Sequence, residues 1–93
     1  MVERPVLSII IAAYDVVQYV AEAIDSALAQ TYERVEIVVV NDGSTDGTAA
    51  VLDGYRDRIV RVDQANAGLP AARNAGIAVS SGQLIGFLDA DDM

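Results

Sequence analysis

Two carboxylates separated by a single residue, Asp89 and Asp91, follow the apolar run of residues 84–88 and have the spacing of a metal-binding pair. At about 5 Å and an effective dielectric constant near 20, two such charges repel by roughly 3 kcal/mol, so we expect a divalent cation or a proton between them. The sequence contains no His and no Cys, which leaves oxygen ligands and favours Mg²⁺ or Mn²⁺ over zinc. Taken alone, the triplet fits a solvated acidic turn equally well.

Three other side chains could contact a nucleotide. Tyr14 and Asp42 each follow an apolar run, and Tyr14 could stack on a base while Asp42 accepts a hydrogen bond from a base N–H. Arg73 is the one cation in an otherwise apolar stretch and could contact a phosphate. The alternatives are an ordinary core or surface aromatic for Tyr14 and a surface ion pair for Arg73. A cation held by the acidic pair would let this acidic chain accept a nucleotide diphosphate.

The segment 42–47, with the sequence DGSTDG, has two structural interpretations. The simpler one is a turn at Gly43 followed by an N-cap at Asp46 for the next helix. The other is an EF-hand calcium loop, in which Asp42 would take the first position and Asp53 the last. A calcium loop follows a helix and ends in a bidentate Glu, whereas this segment follows the β-rich VEIVVV and reaches an Asp. The turn is therefore the expected structure.

Short apolar runs rich in branched residues predict four β-strands, at 7–12, 35–40, 59–63 and 84–88. Three of them are almost continuously apolar, as in parallel strands that are covered on both faces. The run at 59–63 is interrupted by Arg61, so we expect it at an edge of the sheet. Ligands bind beyond the carboxyl ends of parallel strands, and the acidic and aromatic side chains follow those ends.

Helices are predicted between the strands. The first, at 16–30, is expected to begin with a capping box of Asp15 and Gln18, the second to begin near 46–47, and the third to cover 69–80. The residues expected to face the sheet from the first and third helices are Val17, Val20, Ile24, Ala27 and Leu28, and Ala72, Ala75, Gly76 and Val79. The alternation predicts an α/β class: a Rossmann-like parallel sheet of about four strands with helices on both faces.

Composition excludes several classes of function. Six basic and fourteen acidic residues give a formal charge of −8, which makes nucleic acid a poor partner. None of the basic residues is Lys and there is no His, so the lysine of a Walker-type phosphate loop and a His-dependent triad are both excluded. No apolar run approaches the roughly 20 residues that span a bilayer, so we expect no membrane segment. The absence of cysteine fits a cytoplasmic protein.

Five ordered motifs carry a resemblance to a known family. They are LSIIIAAY (7–14), QTY (30–32), EIVVVNDGSTDGT (36–48), NAGLPAARNAGI (66–77) and FLDADD (87–92). The combination resembles the amino-terminal, nucleotide-binding half of glycosyltransferase family 2, which has the GT-A fold. Two departures, Ala12-Ala13 where many members have Pro-Thr and Asn41-Asp42 where many have Asp-Asp, leave the nucleotide open.

The resemblance implies a role for each candidate residue. Tyr14 is similar to the family's base-contacting aromatic, Asp42 to the carboxylate that recognises uracil or a related base, and Arg73 to the arginine near the phosphates. Asp89 and Asp91 resemble the D-x-D motif, with Asp91 the metal ligand and Asp89 a contact to ribose or to the metal through water. The implied cofactor is Mg²⁺ or Mn²⁺, and the implied partner is a nucleotide-sugar donor.

The implied reaction transfers a sugar from a nucleotide diphosphate, UDP in our interpretation, to an acceptor hydroxyl with inversion at the anomeric carbon. Residues 1–93 would form one donor-binding subdomain, with the catalytic base downstream of Met93, so we expect the 93 residues alone to be inactive. The apolar run 84–88 would be left as an exposed sheet edge, through which we expect self-association.

Two alternatives from other classes are open. A sugar-nucleotidyltransferase shares a Rossmann-like half and acidic metal ligands, but it should carry a glycine-rich, basic loop after the first strand, where this chain has Ala13-Tyr14-Asp15. A non-catalytic, receiver-like metal- or nucleotide-binding module should carry paired acids after the first strand and a later lysine. Neither pattern is present in the sequence.

Overall fold

The computed structural model describes residues 6–29 and 34–89. Strands and helices alternate in these ranges, with one short 3₁₀ turn at Arg56–Arg58 before the third strand. The strands are β1 (Leu7–Ala13), β2 (Val35–Asp42), β3 (Val60–Gln64) and β4 (Leu84–Asp89), and the helices are α1 (Val20–Leu28), α2 (Thr48–Asp53) and α3 (Leu69–Val79). The predicted α/β class is confirmed.

The strands form one parallel sheet of four, in the order β3-β2-β1-β4. β1 and β2 lie in the middle, and their branched apolar side chains are almost entirely buried, as expected of strands covered on both faces. β3, which contains Arg61, lies at one edge as predicted. The chain moves outward from β1 to β3 and then crosses back to place β4 on the other side of β1. The strand order therefore reverses beside β1, the position where open sheets bind their ligands.

Helices cover both faces of the sheet. One face packs Ile9, Ile11 and Ile37 against α1 and α2, and the other packs Ile10 and Val38 with α3. The buried residues of α1 are Val20, Ala23, Ile24 and Ala27, and those of α3 are Ala72 and Gly76. Three residues predicted to face the sheet, Val17, Leu28 and Val79, are instead exposed.

Gly76 allows α3 to lie close to the sheet. A Cβ atom at this position would come within 2.6 Å of Ile10 Cγ2 and 3.3 Å of Val40 Cγ2. A larger residue would push the helix away from both central strands, since the contacted atoms belong to buried side chains. The small residues of the third helix thus have the packing role that the sequence predicted.

The beginning of α1 differs from the prediction. The helix begins at Val20 rather than at residue 16, and no side chain caps its amino terminus. The predicted capping box is wrong, because Asp15 has a φ of 49°, outside the helical region, and its carboxylate accepts a hydrogen bond from Thr45 N at 2.7 Å. A turn precedes the helix, closed by a hydrogen bond from Tyr19 N to Val16 O at 2.8 Å. A tertiary contact has therefore replaced a local cap.

Hydrogen bonds near the amino-terminal ends of β1 and β2 hold β4 beside β1. The Glu36 carboxylate accepts hydrogen bonds from Ser8 Oγ at 2.7 Å and Ser81 N at 2.9 Å, and Ser8 Oγ accepts one from Gly82 N at 2.9 Å. Partial burial opposes ionisation of Glu36, but the donors from Ser81 and Ser8 outweigh it and lower the pKa of the carboxyl. These contacts help to fix a register in which Ala12 pairs with Asp89.

β4 pairs with β1 on one side, and in the described part of the chain no strand lies on its other side. Its apolar side chains are largely accessible to solvent: Phe87 is 52% exposed and Leu84 is 48% exposed. The self-association predicted through this edge stays a prediction, which light scattering on the purified chain would test. Among the described residues, no helix is both long and apolar enough to cross a membrane.

Candidate functional site

A cavity of about 170 Å³ lies at the carboxyl ends of β1 and β2, beside the beginning of α3. Its walls come from the ends of β1 and β2, from the connections that follow β1 and β3, and from the first residue of α3. The lining residues are Ala12, Tyr14, Val16, Asp42, Asn66, Gly68 and Leu69. Tyr14 and Asp42, which are far apart in the sequence, therefore meet at one place, and their convergence at the carboxyl edge follows from the parallel sheet.

Asp42, the last residue of β2, is the central polar group of this cavity. It is 1% exposed, and its carboxylate oxygens are bonded to the last residue of β3 and to the connection between β3 and α3. The distances to Oδ1 are 2.8 Å from Gln64 Nε2 and 2.9 Å from Ala67 N, and those to Oδ2 are 2.9 Å from Gly68 N and 3.3 Å from Asn66 Nδ2. Four donors match the about four lone-pair positions of a carboxylate.

These donors keep Asp42 ionised. Burial opposes the charged form, but the hydrogen bonds from Gln64, Ala67 and Gly68 stabilise it more strongly, so the pKa of Asp42 is lowered. No basic side chain is needed to balance the charge, because backbone amides and a side-chain amide supply the positive ends of their dipoles. The cavity therefore presents a carboxylate held in one orientation by its own walls.

Gly43 lets the connection after β3 come close to the end of β2. Its φ is 73°, in the left-handed region, and a Cβ atom would lie 2.5 Å from Asn66 N. Nearby, Asn41 Oδ1 accepts a hydrogen bond from Ser44 N at 3.2 Å, and Asn41 Nδ2 donates one to Asp63 Oδ1 at 3.1 Å. The turn predicted for 42–47 is present, and it serves to shape the cavity.

Tyr14 lies just beyond β1 and forms part of the cavity wall. Its side chain is 44% exposed, so one side of the ring is accessible to a ligand. The next residue, Asp15, turns away from the cavity and bonds to the connection between β2 and α2. Tyr14 thus has the exposure and position that stacking on a base requires.

The structure describes the positions of some, but not all, of the remaining candidate residues. β4 ends at Asp89, which pairs in register with Ala12 on the cavity wall, so the backbone of β4 leads to the same edge. Asp91 lies outside the described residues. Arg73 is in the second turn of α3 and is half-buried. Within residues 6–29 and 34–89, no three acidic side chains cluster around a position that would hold a metal ion.

The EF-hand alternative for residues 42–53 is wrong, because its carboxylates do not converge. Asp42 is bonded to the connection before α3, and Asp46 accepts hydrogen bonds from Thr48 N at 2.8 Å and Val17 N at 3.2 Å. Asp53 is paired with Arg61 Nη1 at 2.6 Å. The three groups face different neighbours, and β2 rather than a helix precedes the segment.

The glycosyl transferase family 2 model matches residues 8–93 of this sequence, which includes the described parts of the cavity. The chain belongs to glycosyl transferase family 2. Glycosyltransferase GlyA of Streptococcus pneumoniae is 43% identical over 89 residues, which are 92% of this chain and 13% of GlyA. The chain thus spans about an eighth of that relative's length. This membership gives no support to the nucleotidyltransferase and receiver-like alternatives.

Solved structures of other glycosyltransferases have the same fold. Staphylococcus aureus TarS 1–349 in complex with UDP superposes with a TM-score of 0.82 at 29% identity, over 92% of this chain and 27% of TarS. The mannosyltransferase PcManGT of Pyrobaculum calidifontis, in complex with GDP-Man and Mn²⁺, gives a TM-score of 0.81 at 26% identity, over 96% of this chain and 28% of that protein. The expected GT-A architecture is confirmed for this family 2 chain.

Sequence reasoning missed two residues of this candidate site, Gln64 and Asn66. Both bond to Asp42, and Asn66 also lines the cavity. Their position in the sequence could have identified them as candidates. They follow a predicted strand, as Tyr14 and Asp42 do, and therefore belong to the same carboxyl edge of the sheet. The motif 66–77 marked the segment as typical of the family but assigned no role to its first residue.

Proposed function

We propose that this chain is the donor-binding part of a metal-dependent, inverting glycosyltransferase that takes its sugar from a UDP-sugar. The observation that carries the proposal is the cavity in which the exposed ring of Tyr14 lies beside the buried, ionised Asp42. Pockets that enclose a whole drug-sized ligand measure roughly 300–1,000 Å³. A cavity of about 170 Å³ suits the base, with the ribose and diphosphate along the edge of the sheet.

Asp42 would recognise the base through an N–H group. Its four present donors fill the carboxylate, so a base N–H must replace one of them. Asn66 Nδ2 is the donor to replace: its bond to Oδ2 is the longest of the four, 3.3 Å, and it keeps a second acceptor in Asp42 O at 3.1 Å. Uracil, which offers one ring N–H between two carbonyl groups, suits a single vacated position.

Asp89 and Asp91 would hold Mg²⁺ or Mn²⁺ at the end of β4. Two observations support this: β4 ends in register with Ala12 on the cavity wall, and the chain offers oxygen ligands without His or Cys. When bound, the cation would bridge these carboxylates to the diphosphate and stabilise its charge as it leaves. Arg73 would contact a phosphate from α3. PcManGT, which has the same fold, was crystallised with Mn²⁺ and a nucleotide sugar.

The sugar would be transferred to an acceptor hydroxyl with inversion, and a carboxylate base would remove the acceptor proton. We assign that base, together with the acceptor site, to the part of the protein beyond these 93 residues, because the chain spans 13% of GlyA and 27% of TarS. The 93 residues alone should bind the donor without transferring its sugar. Sugar transfer by the purified 93-residue chain would contradict this assignment.

Calorimetric titration of the 93-residue chain with UDP, in Mn²⁺ and in EDTA, tests the proposal. UDP should bind in Mn²⁺ and at least about tenfold more weakly in EDTA, a difference of about 1.4 kcal/mol. Asp91→Asn should remove most of the Mn²⁺ effect, while Asp57→Asn, which removes the same charge from the 3₁₀ turn, should leave it unchanged. A titration with GDP in place of UDP tests which nucleotide base the cavity accepts. Equal UDP affinity in EDTA would contradict the metal role, and no UDP binding in either buffer would contradict the donor site.

A further inference from the structure

The connections after β1 and β2 are joined by hydrogen bonds that run in both directions. The Asp15 carboxylate accepts bonds from Thr45 N at 2.7 Å and Asp46 N at 3.3 Å, and Asp15 N donates to Ser44 Oγ at 3.0 Å. In return, Asp46 Oδ2 accepts a bond from Val17 N at 3.2 Å. We call Asp15, Val17, Ser44, Thr45 and Asp46 the loop clasp.

Thr48 anchors the loop clasp in the core. Its side chain is fully buried, and its hydroxyl accepts a hydrogen bond from Val16 N at 3.2 Å and donates one to Asp46 Oδ1 at 2.5 Å. Hydrogen bonds therefore run without interruption from the buried start of α2 to the exposed Asp15. Each connection limits the movement of the other.

Asp15 faces away from the cavity that it helps to shape. The cavity wall includes its two sequence neighbours, Tyr14 and Val16, but not Asp15, which lines a separate depression with Val17 and Asp46. Its φ of 49° lies in the left-handed region, a conformation that Asp tolerates better than most residues. The exposed Tyr14 ring has no core packing comparable to that of Val16, so its direction depends on this backbone.

We propose that Asp15 is a positioning residue: through the loop clasp, its carboxylate holds Tyr14 in the orientation that receives the nucleotide base, without touching the nucleotide itself. The inference rests on the proposed donor site. Holding a binding group in its bound orientation before the ligand arrives raises affinity, because the cost of ordering it has already been met. Loss of the carboxylate should therefore weaken UDP binding through Tyr14.

Three substitutions of Asp15 separate the effect of its acceptor oxygen from that of its backbone conformation. Asp15→Asn keeps an acceptor oxygen and the tolerance for positive φ, so its UDP affinity should stay within about threefold of the parent chain. Asp15→Gly keeps the backbone freedom but loses the acceptor, and Asp15→Ala loses both, so both should bind UDP about tenfold more weakly. Asp53→Ala is the matched control: it removes an exposed carboxylate that bonds to Arg61, away from the cavity.

A double-mutant cycle with Tyr14→Ala distinguishes positioning from a general loss of structure. Asp15→Gly should weaken UDP binding about tenfold in the parent chain and less than about twofold in the Tyr14→Ala background, whereas its effect on the melting temperature should be the same in both. An equal effect on UDP affinity in both backgrounds, or no effect in either, would overturn the inference.

Amide order parameters of the free protein test the positioning role of Asp15 without any ligand. In Asp15→Gly, the order parameters of Tyr14 and Val16 should fall toward values of flexible backbone, below about 0.6, while that of Asp42 stays near about 0.85. Unchanged order at Tyr14 would overturn the positioning role. If the parent chain fails to bind UDP, the proposed function fails, and the order parameters still decide whether Asp15 fixes Tyr14.

Discussion

The Asp42 carboxylate accepts a hydrogen bond of 2.9 Å from the backbone amide of Gly68, and this contact joins the end of β2 to the beginning of α3. Gly68 has a φ of 96°, so its amide reaches Asp42 from a backbone conformation that favours glycine. The same carboxylate bonds to Gln64 and Ala67. Asp42 therefore holds the connection between β3 and α3 in place, and it is also a candidate to bind a nucleotide base.

Asp42→Asn should destabilise the protein because it replaces an acceptor with a donor inside the cavity. The NH₂ group of the new side chain would face Gly68 N or Ala67 N, and that backbone amide would lose its acceptor in a partly buried setting. Leaving a buried donor unsatisfied costs about 1–3 kcal/mol, so at this partly buried position we expect the free energy of unfolding to fall by about 1–2 kcal/mol in urea denaturation. Asp53→Asn, at an exposed ion pair, should lower it by less than about 1 kcal/mol. Similar losses for the two variants would contradict the role of Asp42.

The stability of the protein should depend on pH in the acidic range. The folded-state pKa values of Asp42 and Glu36 are lowered, so their stabilising contributions are fully present above the unfolded-state values of about 4 and are lost as the pH falls through the folded-state values. The melting temperature should be nearly constant from pH 7 to about 5 and then fall steadily below about 4. Asp42→Asn should flatten that fall. An equally steep fall in the variant would show that other groups cause it.

Gly43→Ala should distort the cavity as well as lower stability. The new Cβ would lie 2.5 Å from Asn66 N, and the alanine backbone would have to adopt a φ of 73°. We therefore expect a loss of about 1–3 kcal/mol in the free energy of unfolding. Gly54→Ala provides the matched control, because Gly54 has a φ of −73° and its Cβ would make an ordinary contact of 3.4 Å. That change should be neutral or stabilise by up to about 1 kcal/mol. Equal effects at the two positions would contradict the close approach at Gly43.

Tyr14→Ala should weaken UDP binding without a large effect on stability. Stacking of a base on an aromatic ring contributes about 1–3 kcal/mol, so the affinity should fall by about tenfold or more in calorimetric titration. Tyr14→Phe keeps the ring and should bind UDP within about threefold of the parent chain. Because the side chain is 44% exposed, both variants should have melting temperatures close to that of the parent. A Tyr14→Ala variant with unchanged affinity would exclude stacking on this ring.

The strands and their parallel arrangement could be predicted from the sequence because buried parallel strands have a local signature. Residues 7–12 and 35–40 were predicted as strands, and β1 and β2 extend these runs by only one or two residues. Their continuous branched apolar composition shows burial on both faces, and no distant residue is needed to recognise it. The carboxyl edge, and the placement of Tyr14 and Asp42 on it, followed from the parallel order alone.

The connections could not be predicted in the same way because their structure depends on distant partners. Asp15 has the spacing of a local cap with Gln18, but its acceptor oxygens bond to Thr45 and Asp46, which are about thirty residues away. Likewise, nothing near Asp42 in the sequence indicates that Gln64 fills one of its lone pairs. Both errors concern polar side chains at the site, where a tertiary partner replaces the local one.

A crystal structure of the 93-residue chain with UDP and Mn²⁺ is the most direct test of the donor site. The account predicts the uracil ring in the cavity between Tyr14 and Asp42, with its ring N–H on the Asp42 carboxylate in place of the Asn66 amide, and the diphosphate at the end of β4. UDP bound elsewhere, or a base in the cavity while the Asn66 amide still bonds to Asp42 Oδ2, would contradict it.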